Sequence, residues 1–112
     1  MIEAVYHRDD YRLTLCGHAR SGDAGRDLVC AAASILVYTA AQNVRQLLEY
    51  KQAVSVQIRL EPGDAEIGCE PKAGFDAVTR LILDTICKGF LLLADQYPEY
   101  ISFTVREAKD RE

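Results

Sequence analysis

The chain has 112 residues, 49% of them hydrophobic, which allows one domain with a single core and excludes two. Seventeen acidic against thirteen basic residues give a net charge of −4, so a nucleic-acid-binding surface is not the expected reading. Glu3, His7, Arg8, Asp9 and Asp10 interrupt the N-terminal stretch where a signal peptide would need an apolar core, and no uninterrupted apolar run approaches the ~18 residues of a membrane span.

Residues 2–8 and 11–16 read as two strands joined at Asp9-Asp10, with Tyr11, Leu13 and Leu15 alternating against Arg12, Thr14 and Cys16. Gly17 and His18 follow the strand end, and a loop holding Gly22 and Gly25 can fold back sharply. A helix is expected from about Asp27 to Lys51, roughly 37 Å at 1.5 Å per residue. Asp27 would be its N-cap, and Cys30 would lie in its first turn. There, unpaired N–H groups and the helix dipole favour an anion, and an imidazole brought back by the loop would favour it further. The amides at this helix start, that of Cys30 included, would be the natural oxyanion hole.

From Leu28 to Ala41 the helix is apolar on nearly every side, with Val29, Ala33, Leu36 and Ala40 on one stripe. Leu28, Ala31, Ile35 and Tyr38 form a second. One sheet covers one side of a helix, so a homodimer is expected to cover the other. Val54, Val56, Ile58 and Leu60 then alternate with polar residues, Pro62-Gly63-Asp64 turns, and Ala65 to Glu70 returns as a weaker, more exposed strand. A second helix over about residues 75–96 presents Val78, Leu81, Ile82, Leu83, Ile86, Phe90 and Leu93, and Tyr97-Pro98 stops it. Ile101, Phe103 and Val105 make a last strand. The order ββαββαβ is an α+β fold, a mostly antiparallel sheet packed against two helices over residues 1–112.

His18, the Gly-rich loop and Cys30 make a nucleophile and general base the reading of interest, against a buried small hydrophobe and a strand-end histidine as the plain ones. Asp27 either caps the helix or orients the imidazole. Ser34, one turn beyond Cys30, either packs or hydrogen-bonds substrate, and Gly17 offers an amide near the centre or merely a bend. Cys16, His18 and Cys30 are too few for a closed zinc site, with no fourth ligand near in sequence, so no metal and no cofactor is expected. His7 is expected at the surface, and Cys69 and Cys87 as bystanders.

Gly17, His18, Ala19, Gly25, Asp27, Leu28, Val29, Cys30, Ala31, Ala32 and Ser34 fall, in order and spacing, on a pattern that resembles the ribosomal-processing cysteine proteases, the Prp (YsxB-like) family. Tyr97-Pro98-Glu99-Tyr100-Ile101 resembles that family's last helix-to-strand junction. The resemblance implies a cysteine endopeptidase with a His18–Cys30 dyad and a homodimeric state. It implies as substrate the short N-terminal extension of a bacterial large-subunit ribosomal protein, the twenty-seventh of its series. With no leader or span visible the chain is expected in the cytoplasm with reduced cysteines. The alternative is a non-catalytic ribosome-associated or anion-binding module using the Gly loop and helix N-terminus.

Overall fold

The computed structural model describes residues 1–17 and 24–107, with the side chains of 24–27 excepted. The elements are β1 (Ile2–His7), a 3-10 turn (Arg8–Asp10), β2 (Arg12–Cys16), α1 (Ala24–Glu49), β3 (Ala53–Glu61), β4 (Asp64–Pro71), α2 (Asp76–Gln96) and β5 (Ile101–Arg106). The α+β class, the ββαββαβ order and the two-helix layer match the sequence expectation. The sheet runs β3-β4-β2-β1-β5, with three antiparallel pairings and one parallel pairing, β1 with β5.

The registers sort the side chains. Ile2, Ala4, Tyr6, Leu13, Ala65, Ile67, Cys69 and Ile101 are buried on one face of the sheet, against Val29, Ala33, Val37, Ala40, Ala41 and Val44 of α1 and Leu83, Ile86 and Phe90 of α2. Phe90 also stacks on Phe103, with ring centroids 6.1 Å apart. The opposite face carries Glu3, Arg12, Arg59, Asp64 and Glu66, where Arg12 pairs with Glu66 at 2.9 Å and Arg59 with Asp64 at 2.9 Å.

Four expectations need correction. β4 is not an exposed return strand: it lies between β3 and β2 and buries Ala65, Ile67 and Cys69, while β3, the cleaner alternation, is the edge with Val54 and Leu60 exposed. Periodicity reports faces, not position within a sheet. The first helix begins at Ala24, three residues before Asp27, since one glycine at Gly25 costs only about 1 kcal/mol in a helix. It ends at Glu49 because Lys51 is left-handed, φ 62°. The Gln52 N–H bonds the Leu47 carbonyl at 2.8 Å and the Lys51 N–H that of Leu48 at 3.0 Å, the paired bonds of a Schellman cap. On α2, Val78 and Leu81 point outward while Thr79 is buried, its hydroxyl donating to the Phe75 carbonyl at 2.7 Å. Finally, Leu28–Glu49 is long and apolar enough by composition to cross a membrane, which run-length reading missed because scattered polar residues break it. Its inner stripe forms the core of this fold.

A polar clamp fastens α2 to β1. The Tyr6 hydroxyl donates to Asp84 at 2.8 Å, and Arg8 donates from Nε and Nη2 to the two Asp84 oxygens at 3.1 and 3.0 Å. Burial by itself would raise the Asp84 pKa, but the hydrogen bonds from Arg8 and Tyr6 outweigh it and hold the carboxyl below its usual range. Burial and the bond to Asp84 push the Tyr6 phenol upward. A depressed carboxyl stabilises above its unfolded pKa of about 3.9 and loses that contribution as pH falls through the folded value. Asp84→Asn should therefore cost about 1–2 kcal/mol at pH 7, a bidentate charged pair discounted for partial exposure. Denaturant unfolding at pH 7 and pH 3 checks this, the two proteins converging at the lower pH.

Candidate active site

The site is built where three elements end together. β2 delivers Gly17, whose N–H bonds the Gly63 carbonyl at 3.0 Å and so ties the strand end to the tip of the β3–β4 hairpin. Gly17 has φ +114°, and a Cβ there would collide with the Met1 carbonyl oxygen. α1 runs alongside and lays Cys30, Ser34 and Tyr38 at successive turns against the same opening. The result is a cleft of about 250 Å³ with Ile2, Leu15, Val37 and Ala65 among its apolar lining and Cys30, Ser34 and Tyr38 along one side.

Cys30 is half-buried against the core, on a helix held by Val29 and Ala33 of its sheet-facing stripe. Ser34 and Tyr38 are exposed. Because α1 starts at Ala24, Cys30 lies in its second turn rather than its first, and Asp27 is inside the helix rather than its N-cap. Helical geometry then commits the Cys30 N–H to the carbonyl four residues earlier, so it is not the free oxyanion donor expected. The Gly17 amide is likewise engaged, by Gly63. His18 and the loop tip lie outside the described residues, as does any side-chain role of Asp27.

The four cysteines are free. Burial pushes the Cys69 thiol up to about 11, and burial with the Asp84 charge pushes Cys87 up to about 12, which makes both poor nucleophiles. Among the described residues no three His, Cys, Asp or Glu side chains are grouped to hold a metal.

Two parts of the site were not read from the sequence. Tyr38 extends the Cys30–Ser34 spacing by one more turn, and that i, i+4, i+8 series was a usable signal. The hairpin tip, residues 60–65, forms a wall only because β4 pairs with β2 and brings its turn beside Gly17. No local pattern carried that.

A half-buried thiol beside an open cleft, on a helix backed by a sheet, is the arrangement of a cysteine-dependent hydrolase. The family described as Cysteine protease Prp matches residues 1–102, and the chain belongs to that family; it is a cysteine protease. Among curated proteins no entire sequence matches significantly. Solved structures share the fold. A crystal structure of SMU.848 from Streptococcus mutans superposes with a TM-score of 0.69 at 24% identity, covering 96% of this chain and 95% of that one. The ribosomal processing protease Prp of Staphylococcus aureus, in complex with a substrate peptide, gives 0.72 at 20% identity over 95% and 100% of the two chains. The same protease with a covalently linked product peptide gives 0.67 at 19% identity, over 94% and 97%.

Proposed function

We propose that the protein is a cytoplasmic endopeptidase in which Cys30 attacks the scissile carbonyl and His18 handles the proton. The observation that carries this reading is Cys30 at the wall of the cleft, one element away from Gly17, the residue that precedes His18. The imidazole takes the thiol proton, the sulfur adds to the carbonyl carbon, and the amine leaves with the proton returned to it, which forms a thioester. Water, deprotonated by the same imidazole, then releases the acid and the free thiol. Ser34 and Tyr38, along the same wall, are placed to hydrogen-bond a peptide laid across Cys30.

The proposed substrate is the N-terminal extension of the twenty-seventh large-subunit ribosomal protein, in keeping with the processing role named for the Staphylococcus aureus relative. The cleft's apolar lining suits a large apolar or aromatic side chain next to the scissile bond. Incubation of the protein with the unprocessed ribosomal protein, followed by mass spectrometry of the products, tests the reading. A single internal cut in the extension is expected. Intact substrate after prolonged incubation would refute it.

The proposed assembly is a homodimer. The second stripe foreseen on α1 is uncovered in the single chain: Leu28 is 55% exposed, Ile35 64% and Leu92 of α2 59%. These residues line an apolar groove between the outer faces of the helices. Soluble monomers rarely leave so continuous a patch wet, and a two-fold contact covers it with the same surface from each copy. Sedimentation at low micromolar concentration should give about twice the 12.5 kDa chain mass, and Ile35→Asp should halve it. A wild-type monomer with no concentration dependence would contradict the dimer.

A further inference from the structure

The backbone hydrogen bonds of β4 fix which groups β3 leaves free. Gly17 donates its N–H to the Gly63 carbonyl at 3.0 Å, and Cys69 donates to the Tyr11 carbonyl at 3.2 Å. Both pairs continue the β2–β4 register, in which Arg12 stands opposite Gly68. In an antiparallel ladder such bonded pairs recur at every second residue, so Ala65 and Ile67 also turn their backbone groups toward β2. Asp64, Glu66, Gly68 and Glu70 therefore turn theirs toward β3, where they meet Glu61, Arg59, Gln57 and Ser55. That leaves the N–H and C=O groups of Val56, Ile58 and Leu60 directed away from the sheet, along its edge. Among the described residues, no backbone hydrogen bond outside the ladder reaches them.

From Leu60 to Val56 this free edge runs about 13 Å. β3 carries no lysine and no proline, the residues that usually blunt an exposed edge, and its one irregularity lies between Ala53 and Ser55, beyond that run. One end of the edge is at the active site, since Leu60 lines the cleft together with Cys30 and Tyr38. Val56 and Ile58 pack their side chains against the core, so a strand added beside them extends the sheet along the flank of α1.

We infer that the free edge of β3 binds the substrate as an added strand. Residues on one side of the scissile bond pair their backbone with Val56, Ile58 and Leu60, while the bond itself lies at Cys30. This rests on the reading of the Cys30 cleft as the cleavage site. An extended chain leaving that cleft at Leu60 meets unpaired donors and acceptors at strand spacing. Such pairing draws on main-chain groups and leaves side-chain choice to the cleft. The groove assigned to the dimer shares no residue with the cleft, so both surfaces can be occupied at once.

The test is residue-resolved amide exchange by NMR on the intact Cys30→Ala chain, alone and with a fluorescein-labelled peptide. The peptide covers the N-terminal extension of the ribosomal protein and the residues that follow it. Anisotropy sets the bound fraction, and wild type is assayed for cleavage of the same peptide. Without peptide, Val56, Ile58 and Leu60 should exchange fast, and Gln57 and Arg59 slowly. With about nine-tenths of the protein bound, exchange through the free remainder should slow the three outward amides about tenfold, while Gln57, Arg59 and β5 stay unchanged. Unchanged rates at Val56, Ile58 and Leu60 in the bound protein would overturn the inference, even where wild type cuts the peptide. Protection there without peptide that grows with protein concentration would also overturn it, since a second copy would then hold the edge. Protection by a peptide that wild type does not cut would sustain the docking edge and remove the cleavage reading. A peptide that fails to bind removes the inference, and one that is also not cut removes the cleavage reading with it.

Discussion

Replacing Cys30 with alanine should abolish peptide cleavage, a fall of about 10⁴-fold or more, and leave the fold in place. Removal of a nucleophile eliminates the covalent route altogether, and what survives in such variants is only residual binding catalysis. The structural cost is small. Cys30 is half-buried inside α1, followed by Ala31 and Ala32, and alanine is the best helix former. Far-UV circular dichroism and the thermal midpoint should stay close to wild type while the cleavage assay reads zero. Cys16, exposed at the end of β2, is the control. If Cys16→Ala lost activity and Cys30→Ala kept it, the nucleophile would be misassigned.

Gly17→Ala should be the most damaging small substitution in the described chain, for reasons unrelated to the thiol. At φ +114° an L-residue is strained by about 1–3 kcal/mol wherever it sits. Here the added Cβ also meets backbone, the Met1 carbonyl and the Ile2 Cα at 3.1 Å, rather than a side chain able to move aside. Ile2 cannot yield cheaply, because its N–H bonds the Tyr100 carbonyl at 2.9 Å and its side chain is buried. A loss of about 3 kcal/mol or more is expected in denaturant unfolding. Activity should fall with it, because Gly17 immediately precedes His18. Gly74→Ala is the comparison: its φ is +94°, but nothing lies within 4 Å of the added carbon, so only the conformational strain remains. Equal losses at the two positions would mean that the close approach to β1 is not what requires glycine at 17.

How much of this was legible depends on the range of the physics involved. The two stripes of α1 were visible because helical periodicity is local, and Leu28, Ile35 and Tyr38 are exposed just where the second stripe ran. Cys30 stood out through its motif. The exchange of roles between β3 and β4 was not legible, because alternation states that a strand has two faces and says nothing of its neighbours. The wall at Glu61 and Asp64 was hidden for the same reason, since it depends on β4 pairing with β2 across about fifty residues of chain. The helix start at Ala24 was misjudged from glycine content, which penalises a helix without forbidding it.

The central claim is that Cys30 is a nucleophile served by His18, and site-resolved alkylation kinetics test it most directly. Native protein is treated with iodoacetamide from pH 6 to 9, and each cysteine is followed by peptide mass spectrometry. Cys30 should label first and remain reactive at the low end of the range, while Cys69 and Cys87, buried and pushed up to about 11 and 12, should stay unlabelled. In His18→Ala the Cys30 rate should drop most at the acid end, where the imidazole's support for the thiolate matters most. An unchanged pH profile for Cys30 in that variant would contradict the coupled pair.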